Sequence, residues 1–184
     1  MSTMKFTARQ DLDGNEIANA AYPPGLVLVK TQTIGTGVSS VTVSNAFSSS
    51  FEHYRVILHG GSGSAFTTLR LQMSGDTSGY YGAAFGASYS SGNAAGAGVN
   101  NGSQWDYAGY GGTNVSLALS CDIFSPHTAG RTRIKSDWTY NSGSTAYSMF
   151  VGETTSTASR TGFVISPASG TMTGGTIRVY GYRN

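Results

Sequence analysis

The chain has 184 residues, which fits one domain or one domain with a short arm. Charged residues make up only 11 %, against about a quarter in ordinary soluble domains, and the net charge is +2 with no basic cluster larger than RTRIK at 131–135. That lacks the concentrated positive footprint of a nucleic-acid binder, and the one cysteine, Cys121, excludes an internal disulfide framework or a cysteine-rich zinc site.

In chain order, the first 24 residues read as a polar arm. MSTMKFTARQDLDGNEI has no apolar run of the signal-peptide kind, and no segment approaches the ~20 apolar residues of a membrane span. The expectation is synthesis in a cytoplasm, without an ordinary secretory signal and without membrane insertion. GNEIANAAY is the nearest thing to a helix, and it runs into Pro23 and Pro24, which end any helix and stiffen the joint. Met4, Phe6, Leu12 and Ile17 are too few apolar residues to fold this arm alone, so it is expected to order by packing on a partner.

From residue 25 onward, alternation with period two dominates. Strands are predicted at 26–34, 40–47, 54–59, 68–73, 115–124, 132–140, 147–152, 162–166 and 176–182. TRIKSDWTY places Ile134, Trp138 and Tyr140 on one face, with Arg133, Lys135 and Asp137 on the other. TIRVYGY sets Ile177 and Val179 against Arg178, Tyr180 and Tyr182. Turn clusters such as GTG, HGGSGS, SPHTAG, YNSGS and SGTMTGG separate these runs. About nine short strands at this spacing predict an all-β antiparallel sandwich, jelly-roll-like, over residues 25–184.

Residues from about 74 to 112 form a Gly/Tyr-rich insertion, predicted to hold one or two irregular strands because a structureless loop of that length is unusual. It contains Tyr80, Tyr81, Tyr89, Trp105, Tyr107 and Tyr110, but only two charges, Asp76 and Asp106. Tyrosine mixed with Ser, Gly and Asn is the composition of adaptable binding loops, in which the ring gives contact area at low rotamer cost. Those six aromatics are therefore the candidate ligand-binding residues. Trp105 and Tyr107, two apart in WDYAGY, are expected to form a platform on one strand face. The competing reading packs the rings onto a sheet.

Other motifs read as structure. HGGSGS resembles an esterase oxyanion loop, but no G-x-S-x-G elbow accompanies it. DLDGNE has calcium-loop flavour, yet its glycine stands fourth rather than sixth. His53, His59 and His127 show no metal-ligand spacing. No catalytic residue, metal site or cofactor is expected, and the chain is read as not an enzyme.

GLVLVKTQTIGTGVSSVTVSNAFSSSFEHYRVILHG, then LRLQMSG, DIFSPHTAGRTRIKSDWTY and TGFVISPASGTMTGGTIRVYGYRN, resemble β-sandwich virion proteins of tailed bacteriophages, the tail-fibre and receptor-binding group. The resemblance runs over roughly residues 25–184. DLDGNEIANAAYPP is similar to a segment near the root of tail-fibre modules, and it adds Asn19 to Phe6, Leu12 and Ile17 as candidate attachment residues. The resemblance implies a non-enzymatic virion component that assembles as a homotrimer or another small ring and contacts other virion proteins. Two functions follow from these readings. One is a short tail fibre or receptor-binding protein whose loops contact a host-surface glycan. The other is a head decoration, collar or tail-tip adaptor with only protein–protein contacts.

Overall fold

A computed structural model describes residues 25–89, 91–113, 115–141 and 145–183. The arm, and with it Phe6, Leu12, Ile17 and Asn19, lies outside the described residues. The described chain is all-β and antiparallel, with its sheets packed as a sandwich. Its strands are β1 (Leu26–Thr33), β2 (Val41–Val43), β3 (His53–Gly60), β4 (Ser62–Gly63), β5 (Thr67–Met73), β6 (Tyr80–Ser88), β7 (Ala94–Gly102), β8 (Trp105–Gly112), β9 (Val115–Phe124), β10 (Arg133–Asn141), β11 (Thr145–Thr154), β12 (Phe163–Pro167), β13 (Met172–Thr173) and β14 (Thr176–Tyr182).

β9 joins the two layers. One of its edges pairs with β3 from Leu117 to Phe124. The other is divided: Val115 and Ala118 pair with β8, while Ser120–Phe124 pair with β10. One layer therefore runs β1-β14-β3-β9-β10-β11-β6-β7, and the other runs β2-β12-β5-β8. The small pair β4-β13 lies off this network.

Alternation decides which side chains meet between the layers. Tyr54, Val56 and Leu58 of β3, Leu117, Leu119, Cys121 and Ile123 of β9, and Ile177 and Val179 of β14 are all buried. They share one core with Leu69, Leu71 and Met73 of β5 and with Phe163 and Ile165 of β12. Burying each such side chain is worth about 1.5–3 kcal/mol relative to exposure. Burial also pushes the Cys121 thiol well above its ordinary range. Phe47 bridges the layers, edge-on to Tyr54 at 4.7 Å and stacked on Phe163 at 5.6 Å. The buried Tyr54 hydroxyl donates to the Ser48 carbonyl and accepts from the Ser48 N–H, each at 2.8 Å, which pins the 44–52 loop.

Two expectations change. The strand expected at 40–47 stops at Val43, because Asn45 turns with φ of 53° and the Ala46 and Phe47 N–H groups bond to the Thr161 carbonyl instead. The insertion expected to hold one or two irregular strands holds three, β6, β7 and β8, with register shifts in their pairings.

Asp76 and Arg160 lock the turn before β6 to the loop before β12. The guanidinium grips both carboxylate oxygens, with Nε 3.0 Å from Oδ2 and Nη2 on Oδ1, and Nη2 also reaches Ser156 Oγ at 2.7 Å. Both side chains are largely buried. Asp76→Ala strands the cation, so it should cost about 3 kcal/mol in denaturant unfolding. A cost under about 1 kcal/mol would show that the pair is screened as a surface bridge is.

Candidate functional site

Cross-strand register explains where the site lies. On the core side, one row runs Val179, Val56, Cys121, Ser136, Phe150, Ala84, Ala97. A neighbouring row runs Trp138, Ser148, Gly86, Ala95 across β10, β11, β6 and β7. Side-chain volume therefore falls away toward β6 and β7. The first of these strands, YYGAAFGAS, turns Gly82, Ala84 and Gly86 inward and Tyr81, Ala83, Phe85 and Ala87 outward.

Beside that thin wall stands an aromatic one. Tyr110 of β8 stacks on Trp138 of β10, with centroids 5.5 Å apart and planes at 16°. The Trp138 indole Nε1–H donates to the Tyr107 carbonyl at 3.1 Å, and the Tyr107 ring leans on Phe150 at 6.3 Å. Between the two walls is a cleft of about 460 Å³, within the ~300–1,000 Å³ typical of small-ligand sites. Thr68, Ser88, Asn93 and Ser148 supply its polar groups. Among the described residues, its lining includes no Asp, Glu, Lys, Arg or His.

Tyr107 and Tyr110 both reach the cleft although they stand three apart, which a regular strand does not allow. Irregular register makes it possible: β8 uses Trp105 to Gly109 against only Leu71 to Leu69 of β5, and slips again against β9 between Tyr110 and Gly112.

The six candidate aromatics thus divide. Tyr107 and Tyr110 line the cleft. Tyr80 and Trp105, both 0 % exposed, are core rings packed edge-to-face at 5.1 Å, and their candidacy as ligand residues is corrected. For Trp105 the physical reason is that a glycine makes room for the ring. A Cβ on Gly152 would sit 2.7 Å from the Trp105 indole nitrogen, so Trp105 lies directly over β11. The platform expected from Trp105 and Tyr107 faces inward. Tyr81 is exposed on the outer face of β6, and Tyr89, 62 % exposed, sits in the turn after it; neither lines the cleft. Sequence reasoning missed Trp138 as a site residue, because it lies outside the insertion. Its one signal was a large ring on the core face of a strand ending in YNSGS.

The tempting motifs stay apart from this cleft. HGGSGS forms the end of β3 and the β4 turn, with positive φ at Gly60 and Gly61. His127 Nδ1 lies 3.1 Å from the Arg160 carbonyl oxygen. Among the described residues, no group of three or more His, Cys, Asp or Glu side chains is placed to hold a metal ion. DLDGNE lies outside the described residues.

Charge gathers instead on the outer face of the wider layer. Asp122 pairs with Arg55 at 3.4 Å and accepts from the Tyr182 hydroxyl at 2.6 Å, so burial and the carboxylate together hold that phenol above its ordinary value. Glu153 lies between Arg131 and Arg133, whose hydrogen bonds and charge hold its carboxyl below the usual range. The outer face of β6 and β11 is apolar by contrast, with Phe85 59 % and Val151 50 % exposed beside Tyr81 and Tyr147.

No protein family, curated protein or solved structure matches the chain.

Removing either core ring should collapse the fold rather than a binding site. Trp105→Ala and Tyr80→Ala each cost about 3–5 kcal/mol, read by thermal melts; an unshifted melt would return those rings to the list of ligand residues. Burial pushes the Tyr80 phenol from 10.0 up to about 12, opposed by the Met73 N–H that its oxygen accepts at 2.7 Å. The folded state holds this proton more tightly than the unfolded chain does. Its contribution is therefore complete below pH 10 and is lost as pH rises toward 12. Tyr80→Phe should make the alkaline decline in stability shallower over that window.

Proposed function

We propose that this chain is a structural protein of a tailed-bacteriophage virion, a short tail fibre or receptor-binding protein that contacts a host-surface glycan. The observation that carries the reading is the cleft. An aromatic wall faces a floor of Ser, Gly and Ala, with hydroxyl and amide groups at its margin and, among the described residues, no acidic or basic side chain. Sugars offer apolar C–H faces to rings and hydroxyls to neutral polar groups, and Tyr with Ser and Asn supplies both. The resemblance of residues 25–184 to phage β-sandwich proteins supports the virion context. Attachment belongs in this reading to the arm, through Phe6, Leu12, Ile17 and Asn19, and assembly is as a homotrimer together with other virion proteins.

A second reading keeps the virion context and drops the receptor: a head decoration, collar or tail-tip adaptor with only protein–protein contacts. The exposed Phe85, Val151, Tyr81 and Tyr147 favour it, since contiguous apolar surface marks interaction sites.

Labelled protein should bind host cells and block adsorption of virions that carry it, and antibody labelling should find it at a free end of the particle. Absence of cell binding, with label on the head or inside the tail, selects the second reading. Deleting residues 1–24 should leave the melting temperature unchanged and abolish incorporation into particles. Normal incorporation of the truncated chain would overturn the role given to the arm.

A further inference from the structure

We infer that the cleft is a subsite for an uncharged saccharide unit, and that Ala95 on the edge strand β7 sets the size of sugar it admits. This rests on the receptor-binding reading above and goes on to name the ligand class and the residue that selects it.

Charge decides the first half. A carboxylate or phosphate moved from water into an apolar cleft needs a cation or several N–H donors to replace its hydration. Among the described residues, the lining offers no cation. Among the arginines of the surrounding sheets, Arg70 is held by Asp106 at 3.1 Å and Arg160 by Asp76. Acidic sugars and phosphate-bearing polymers therefore meet no counter-cation among the described lining residues. A neutral sugar asks only for what is present: the Tyr107, Tyr110 and Trp138 rings against its C–H face, and Ser, Thr and Asn groups for its hydroxyls.

The floor decides the second half. Gly86 has a structural reason to be glycine, because a Cβ there would collide with the Tyr147 carbonyl of β11. Ala95, its cross-strand partner on β7, has no such reason. It is exposed, on a strand that among the described residues pairs along one edge only, so a larger side chain there is not held back by the core. A position free to be large but kept small, opposite an aromatic wall, controls the width of the slot.

The test uses the full chain and saturation-transfer NMR. The probes are neutral oligosaccharides of gluco, galacto, manno, rhamno and N-acetylhexosamine type, set against uronate-, sialate- and phosphate-bearing ones and an alanine-rich peptide. Transfer to the C–H protons of a neutral sugar, unchanged from low to high salt, is expected. Ala95→Leu should weaken that binding by about tenfold or more with an unchanged melt, while Phe85→Ala, on the opposite face of the hairpin, should leave it intact. Preference for an acidic sugar or the peptide, salt-dependent affinity, or wild-type binding by Ala95→Leu would overturn the inference. Host-cell binding separates the two levels. Cell binding that persists in Ala95→Leu removes the cleft and leaves the receptor-binding reading standing. Cell binding absent even from the wild-type chain removes both.

Discussion

β9 shares its two edges among three neighbours, and the rest of the molecule is arranged around that division. A strand edge can hydrogen-bond only one partner at each position, so β8, which takes the first residues of β9, and β10, which takes the last, must diverge. Divergence turns one continuous network into two facing layers. The sequence prepares the branch at two points. VSLALSCDIF sends Leu117, Leu119, Cys121 and Ile123 to one side, giving the facing layer something to pack on. Gly109 then lets β8 come close, since a Cβ there would stand 2.8 Å from the Leu119 Cβ. Without that near approach, the chain would carry one wide sheet with a greasy face.

From this junction outward, the core thins in one direction. Near β3, β9 and β14 the inner rows hold Val, Leu and Ile, and the layers close on them. Toward β6 and β7 the same rows hold Ser, Ala and Gly, which add little to the transfer free energy that drives closure. Interiors otherwise fill at crystal-like density, so a gap between two layers is the exception that calls for a reason. Here the stacked Tyr110 and Trp138 rings hold one wall, while the small residues opposite leave nothing to reach across to them.

The sequence was informative wherever apolar and polar residues alternate with contrast. The strand expected at 115–124 has those bounds in the structure, and those expected around TRIKSDWTY and TIRVYGY shift by a residue or less. Contrast vanishes in YYGAAFGASYSSG and GNAAGAGVNN, where small residues occupy both faces. Periodicity there could not distinguish three strands from loop, although pairing partners far along the chain do. The site was half legible for the same reason. Composition pointed to aromatics in the insertion, and Tyr107 and Tyr110 line the cleft. It could not separate them from Tyr80 and Trp105, because burial depends on partners such as Gly152 beneath Trp105, on strands that meet only in three dimensions. Trp138 escaped notice because its strand reads as ordinary core.

Gly86 and Phe85 are adjacent in sequence and point in opposite directions, which explains how one hairpin serves two surfaces. Inward, β6 is stripped of bulk and forms the floor of the cleft. Outward, it carries Tyr81 and Phe85 next to Val151 of β11, an apolar face flanked by a β7 edge with no charge and no proline. Such an edge and face together invite association in a free chain. A protein that used only the cleft has no reason to leave Phe85 and Val151 bare. One that used only the outer face has no reason to keep Ala95 small. Period two lets the same nine residues meet both demands, so evidence for a ligand in the cleft does not weigh against a partner on the outer face.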